Sequence, residues 1–492
     1  MKIIYVILYK MIKKIGIFIF RRDMRIYDNI GLNMLSKEVD VIIPIFILDQ
    51  NQIQKTDKNK YYFSNNAVQF ICESLIDLND QLNKKNSKIY LFFGDPINII
   101  LKLIKNIKSI THIGFNLDFS NYAISRDNDI ANICQDNNIQ IVTCDNDYTL
   151  LDTNLNLNKD KPFKQFGAYF KQVKKHKPNF PDNKAPPNFI NKTYKINFSL
   201  QLDKLNKLYN DNADLDQNGG REEAINKLKI IKDQKQYNLL HDRLDHETTH
   251  LSAYLNLGCL SIREVYHVII KHLGKNNTLL KQLYWRDFYM TAMRFIDNAT
   301  SYTHYIDPRF DKLTERLKPF LERGKKELML LWKCQTGFLL IDAAMKQLTV
   351  TGYCHNRGRL LLGIFWTKYL LIDMLHPKYG SQVGFSSQLV DAIGTSQNKM
   401  NHHWLLDFDY PGRRFGKGIS GRPLDISNIN IKKYDPECAY IKKWLPELKD
   451  ISNKDLYKWD KQSAETNGGV HPYPIFDSKE RYHEWKKITE KL

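Results

Sequence analysis

The chain is predicted to fold as an α/β domain followed by a larger all-α domain, and three observations predict it. Five short apolar runs alternate with helix-period segments near the start, a Lys-, Asn- and Pro-rich stretch without a period follows, and from about Arg221 the pattern is helical almost throughout.

The apolar runs are Ile15–Phe20, Val41–Leu48, Ile89–Phe93, His112–Phe115 and Ile139–Val142. Short continuous runs of this kind, rather than alternating ones, suit strands buried on both faces. Between two of them Val68, Ile71, Cys72, Leu75, Ile76 and Leu78 fall on one helical face. Strand and helix in alternation give a parallel five-stranded, Rossmann-like sheet, assigned to residues 15–151. Residues 152–220, with breakers such as Lys184-Ala185-Pro186-Pro187, are expected to form an interdomain connector. The second domain, 221–485, rests on the helical segments Arg263–Leu273, Leu279–Phe295, Gly337–Leu348 and Arg359–Leu375. From Asp407 onward Gly-Pro loops mix with short helices such as Ala439–Trp444, and this section is expected to close over the helical domain.

With 492 residues, 42% hydrophobic and 26% charged, the chain is long enough for a large core and has a globular composition. A formal charge of +19 favours a polyanionic partner, although heavy use of Lys, Ile and Asn contributes to it. Cysteines at 72, 134, 144, 259, 334, 354 and 438 form no Cys-x-x-Cys pair, so a reducing compartment and no metal site are expected. The apolar run Leu360–Leu371 is short and broken by Lys368, which argues against a membrane span. A soluble intracellular monomer is expected, with cytoplasm and nucleus both open.

The segment Gly352-Tyr353-Cys354-His355-Asn356-Arg357-Gly358-Arg359 places two arginines, an amide and a histidine between apolar stretches. Buried guanidinium groups need anions or hydrogen-bond acceptors, so this segment reads either as the wall of a polar site or as a polar turn between core helices. Arg21, Arg22, Asp23, Arg25 and Asp28 follow a strand and can interlock as ion pairs at its carboxyl end, the usual ligand crevice of an open α/β sheet. The block Thr248-Thr249-His250-Leu251-Ser252 offers hydroxyls and amides before a helix expected near Ser252, suited to a phosphate or to an ordinary N-cap.

With Leu283-Tyr284-Trp285-Arg286-Asp287-Phe288-Tyr289, Asp342-Ala343-Ala344-Met345-Lys346-Gln347-Leu348 and Lys443-Trp444-Leu445-Pro446-Glu447-Leu448, these blocks stand in an order that resembles the cryptochrome and DNA photolyase family, from Ile15 to about Trp485. In character the chain is most similar to the family's cyclobutane pyrimidine dimer photolyases. The resemblance implies an FAD cofactor contacted by Tyr237, Thr248, Thr249, His250, Leu251, Ser252, Arg359 and Asp391. Ile393 stands where many members have a second carboxylate, and either Gln397 or Asn398 takes the place of an asparagine near the flavin. It also leaves room in the first domain for an antenna chromophore, a pterin or a deazaflavin.

The resemblance further implies damaged DNA as partner, with Gln282, Trp285, Asn356, Arg357 and Leu360 bordering the lesion and Arg413 and Arg414 on the DNA backbone. Asn356 and Gln282 take catalytic positions there. Trp332 and Trp404 match the outer and inner tryptophans of the family's flavin-reducing chain, while Met374 replaces the middle one, so Trp366, Tyr369 or Tyr353 becomes an alternative route. The implied reaction is light-driven splitting of cyclobutane pyrimidine dimers by electron transfer from reduced FAD. Gln282, glutamate in many dimer enzymes, keeps a 6-4 photoproduct photolyase as an alternative, and the altered tryptophans keep a cryptochrome-like photoreceptor.

Overall fold

The computed structural model describes residues 14–53, 63–296, 309–381, 384, 388–392, 426, 427 and 430–490. Strands β1 (Ile15–Phe20), β2 (Val41–Leu48), β3 (Tyr90–Phe93), β4 (Ile110–Asn116) and β5 (Gln140–Cys144) form one parallel sheet in the order β3-β2-β1-β4-β5. Its residues alternate between two cores. Ile17, Ile19, Ile43, Ile45, Tyr90 and Phe92 pack on one face, and Phe18, Phe20, Ile42, Leu48 and Leu91 on the other. Burial on both faces is why the sequence shows unbroken apolar runs. Helices α1 (Ile30–Glu38), α2 (Asn65–Asn83), α3 (Pro96–Asn106) and α4 (Asn121–Asp136) connect the strands, and Asn29, Ser64, Asp95 and Ser120 cap them by accepting a first-turn amide hydrogen.

The strand order turns back between β1 and β4, which opens a crevice at their carboxyl ends. The charged residues expected to interlock there pair instead with groups far along the chain. Arg21 meets Asp127, Arg22 meets Asp118, Arg25 meets Asp147 and Asp28 meets Arg263, all at 2.8–3.0 Å and, except for the half-buried Arg21, buried. Asp23 accepts hydrogen bonds from the Arg21 amide and from Asn116. The loops after β4 and β5 and helix α4 converge on this point and supply Asp118, Asp147 and Asp127.

The stretch after β5 also differs from a plain linker. It contains helix α5 (Phe166–Val173), and it returns along the sheet, where Ile42 donates to Asn188 and accepts from Ile190. Phe166, Tyr169 and Val173 supply a buried stripe too short to stand out among the lysines. The core on this side of the sheet continues without a break into α6 (Ser252–Asn256), α7 (Ile262–Leu273) and α8 (Thr278–Phe295).

A second core joins α9 (Leu321–Trp332), α10 (Leu339–Thr351) and α11 (Asn356–Ile364) to the C-terminal helices Ala439–Trp444 and Ser478–Thr489. The expected helix Arg359–Leu375 is shorter. After α11 a single π turn, Phe365–Tyr369, ends it, and Leu371 stands at φ 56°, which no helix accommodates. Gly352 closes α10 at φ 68°. A Cβ there would lie 2.7 Å from Val390 Cγ2 and 2.9 Å from Asn66 Cβ, so both backbone and packing require glycine. Among the described residues no helix is long and apolar enough to cross a membrane, and no group of His, Cys, Asp or Glu is placed to hold a metal ion.

Candidate functional site: a cavity between α8 and α11

A cavity of about 450 Å³ opens between the loop before α6, one face of α8 and the start of α11. It gathers Tyr237, Thr248, Thr249, His250, Leu251, Ser252, Gln282, Trp285, Asn356, Arg357, Arg359 and Asp391 around one space. Gln282, Ser252 and Asn356 are exposed at its rim, whereas His250, His355 and Asp391 are buried in its floor. Helical spacing explains the α8 wall, because Gln282, Trp285, Arg286 and Tyr289 recur every three or four residues and share a face. Leu360 points instead into the helical core, and Trp332 lies outside the cavity. Ile393, Gln397, Asn398, Trp404, Arg413 and Arg414 lie outside the described residues.

The floor is electrostatically fixed. Arg359 forms a two-pronged pair with Asp391, at 3.0 and 2.8 Å, and its Nε donates to the Cys354 carbonyl at 2.7 Å. Burial opposes the guanidinium charge, but Asp391 outweighs it and raises the Arg359 pKa. His250 has φ 50°, which turns its ring between Asp216 at 2.7 Å and Glu247 at 3.0 Å. Burial again disfavours the charge, yet hydrogen bonds to both carboxylates raise this imidazole to about 9, so it is a cation at neutral pH. The ring stacks on Tyr353 at 4.2 Å between centroids. His355 is the opposite case. Burial, with Arg359 and Arg357 nearby, lowers it to about 3, and its neutral ring accepts the Arg357 amide hydrogen as the cap of α11.

Helix α6 is only five residues long and lacks a side-chain cap, so its dipole is a weak phosphate anchor. The cations His250, Arg359 and Arg286 line the cavity, and carboxylates hold the first two in place. Arg286, which the sequence reading passed over, lines the cavity while donating to the carbonyls of Tyr148 and Leu255. Burial, then the nearby Arg22 and Arg25, lower its pKa to about 10. Its place one turn after Gln282 on α8 was the available signal.

At the rim, Arg357 is held by Asp242 at 2.8 Å, a partner more than a hundred residues earlier that local sequence does not reveal. Trp285 stacks face to face on Phe166 of α5, with centroids 3.5 Å apart and planes 6° from parallel, and it meets Tyr289 at 5.6 Å. Trp332 touches the fully buried Trp366 edge to face at 5.9 Å, and the Trp366 indole donates to the Tyr379 carbonyl. Met374, which replaces the middle tryptophan, is fully buried in the same core as Trp366. Of the alternative redox residues only Tyr353 lines the cavity.

The donor set fits a dinucleotide flavin. Fixed cations and hydroxyls suit a pyrophosphate, apolar Leu251, Leu255, Val265, Ile269, Leu279 and Leu283 suit flat rings, and the volume is that of a small-molecule site.

A second pocket of about 100 Å³ sits in the crevice at the carboxyl ends of the strands, lined by Arg21, Arg22, Arg126, Asp49, Asp118 and Tyr122 with apolar residues of β1 and β2. The Tyr122 hydroxyl donates to Asp49.

Comparison with known proteins agrees with this layout. Residues 17–188 match the family model described as DNA photolyase, and residues 279–491 match that described as the FAD binding domain of DNA photolyase. The deoxyribodipyrimidine photo-lyase of Synechococcus sp. is 25% identical, with 97% of this chain and 96% of the relative aligned. The (6-4)DNA photolyase of Arabidopsis thaliana is 26% identical over 89% of this chain and 80% of its own. Among solved structures, an archaeal photolyase from Sulfolobus tokodaii with two FAD molecules superposes with a TM-score of 0.80 at 27% identity, covering 97% of this chain and 100% of that one. The chain belongs to the cryptochrome and DNA photolyase family, and its helical part is that family's FAD-binding domain.

Proposed function

We propose that the protein is a DNA photolyase that splits cyclobutane pyrimidine dimers in a light-driven reaction. The observation that carries this reading is that one cavity holds both a flavin-type floor and a lesion-type rim. FAD, when bound, supplies light absorption and a single transferable electron. Thr248, Thr249 and His250 would hold its phosphates, and Arg359 with Asp391 would hold its ring edge. The Arg359 cation stays fixed because the pair is buried, so it stabilises negative charge beside it without moving.

At the rim, the Asn356 and Gln282 amides can donate to pyrimidine carbonyls while Trp285 stacks on the extruded bases. Arg357, already neutralised by Asp242, serves as an orienting donor more than as a free charge. Gln282 favours a second reading, repair of the 6-4 photoproduct, because it matches the glutamine common at this position in such enzymes and its amide can donate to a carbonyl, although it cannot transfer a proton. Against it, Asn356 offers no titratable proton either. The crevice pocket supports an antenna chromophore, and its three arginines suit one that carries an anionic group.

Binding measurements in the dark test the lesion rim. Trp285→Ala should weaken binding of dimer-containing duplex by about 5- to 150-fold, given about 1–3 kcal/mol per stacked base, Asn356→Ala should weaken it through a lost hydrogen bond, and both should leave binding to undamaged duplex nearly unchanged. Equal losses on both duplexes would contradict a lesion-reading role.

A further inference from the structure

Between Lys164 and Lys177 the sequence reads Lys-Gln-Phe-Gly-Ala-Tyr-Phe-Lys-Gln-Val-Lys-Lys-His-Lys, with five lysines and no acidic residue. This is α5 with its flanks. Its buried stripe is aromatic and packs on α8. Phe166 stacks on Trp285, Phe170 meets Tyr284 edge-on at 5.3 Å, and Tyr169 meets Phe288 at 5.4 Å. Lys281, the residue before rim Gln282, sets its ammonium 5.6 Å from the Phe166 ring and 5.5 Å from the Phe170 ring. The outward face carries Lys164, Lys171, Lys174, Lys175 and Lys177, all exposed and none in an ion pair among the described residues.

We propose that α5 and its flanking lysines form a second DNA-contact strip, which grips backbone phosphates beside the cavity whose rim holds the lesion. The proposal rests on reading that cavity as a lesion site. A solvated helix face ordinarily mixes charges of both signs, and other exposed lysines here do so, as Lys318 with Glu315 and Lys461 with Glu465. This strip has no such carboxylates. Its aromatic face also packs on Trp285, so the helix that carries the lysines keeps a fixed position relative to that residue. A duplex that delivers a base to Trp285 must run past the neighbouring surface, and phosphates recurring along it need cations at fixed positions.

The test compares dark binding of dimer-containing and undamaged duplexes by fluorescence anisotropy between 50 and 200 mM salt, conditions that resolve phosphate contacts. The proteins are wild type, a variant with Lys164→Gln, Lys171→Gln, Lys174→Gln, Lys175→Gln and Lys177→Gln together, and the same positions changed to Arg. The glutamine variant should lose about tenfold or more in affinity at low salt for both duplexes, and its slope of log affinity against log salt should fall by about 2–4. The arginine variant should bind like wild type, and flavin absorbance and thermal transition should stay at wild-type values in both. Affinity and salt slope equal to wild type in the glutamine variant would overturn the inference alone. A loss confined to damaged DNA would overturn it too, because phosphates are common to both duplexes. A wild-type protein that binds neither duplex would overturn the lesion-site reading and this inference with it.

Discussion

At the scale of the residue, His250 decides most. Its ring is buried, carries a raised pKa of about 9 against an ordinary 6.5, and is held in place by a left-handed backbone that non-glycine residues seldom adopt. Because the folded-state pKa lies above the unfolded one, its stabilising contribution is complete below about pH 6.5 and is lost as pH rises through about 9. Flavin retention by the purified protein should therefore fall between about pH 8 and pH 10. In His250→Gln, retention should be weaker at pH 7 and nearly flat across the same range, followed by flavin fluorescence after gel filtration. A wild-type profile without a fall near pH 9 would remove His250 from the cofactor site. Arg359 was legible from sequence because its motif places it, and the structure joins it to Asp391. Arg357 was legible only by half, because Asp242, which neutralises it, sits in an unremarkable stretch.

At the scale of the element, α8 links the cavity to the sheet domain. Asp287, on its buried face, accepts the amide hydrogens of Leu150 and Leu151 just past β5. Burial raises its pKa to about 7, only partly opposed by Arg286 and the two amides. A carboxyl raised in the folded state favours folding at low pH and loses that contribution as pH rises through about 7. Asp287→Asn keeps an acceptor oxygen, so it should leave stability nearly unchanged near pH 4 and reduce the decline between about pH 4 and pH 7. Asp287→Ala orphans both amides and should cost about 1–3 kcal/mol at either pH, measured by denaturant unfolding. An Asn variant with the wild-type pH profile would contradict this origin of the decline. The strands and long helices were readable in the sequence because their burial leaves a period. Helix α5 was not, because a buried stripe of Phe166, Tyr169 and Val173 in eight residues is too brief to rise above its lysines. Likewise α11 reads as continuing to Leu375, since nothing in an apolar run marks the π turn or the left-handed Leu371.

At the scale of the whole molecule, the sheet domain and the helical domain share one apolar core, and the buried ion pair of Arg263 with Asp28 and the hydrogen bond from Arg25 to the Gly258 carbonyl fasten the seam. That rigidity matters for a site whose floor and rim come from opposite sides of the same space. The Thr248–Ser252 loop, α8 and α11 belong to distant stretches of chain, and only the fold brings them together. Sequence motifs identified these stretches separately; Asp118, Asp127 and Asp147, which hold Arg22, Arg21 and Arg25 within the sheet domain, carry no motif. Five of the lysines behind the overall charge of +19 lie on α5 and its flanks.

The most direct measurement illuminates chemically reduced, flavin-loaded protein in the near ultraviolet or blue with two oligonucleotides side by side, one carrying a cyclobutane thymine dimer and one a 6-4 photoproduct. Loss of the cyclobutane dimer with each exposure, restoration of intact thymines and no change in the 6-4 oligonucleotide are the expected results. Intact bound flavin with an unchanged cyclobutane dimer would contradict the proposed function, and turnover of the 6-4 lesion instead would transfer it to that substrate.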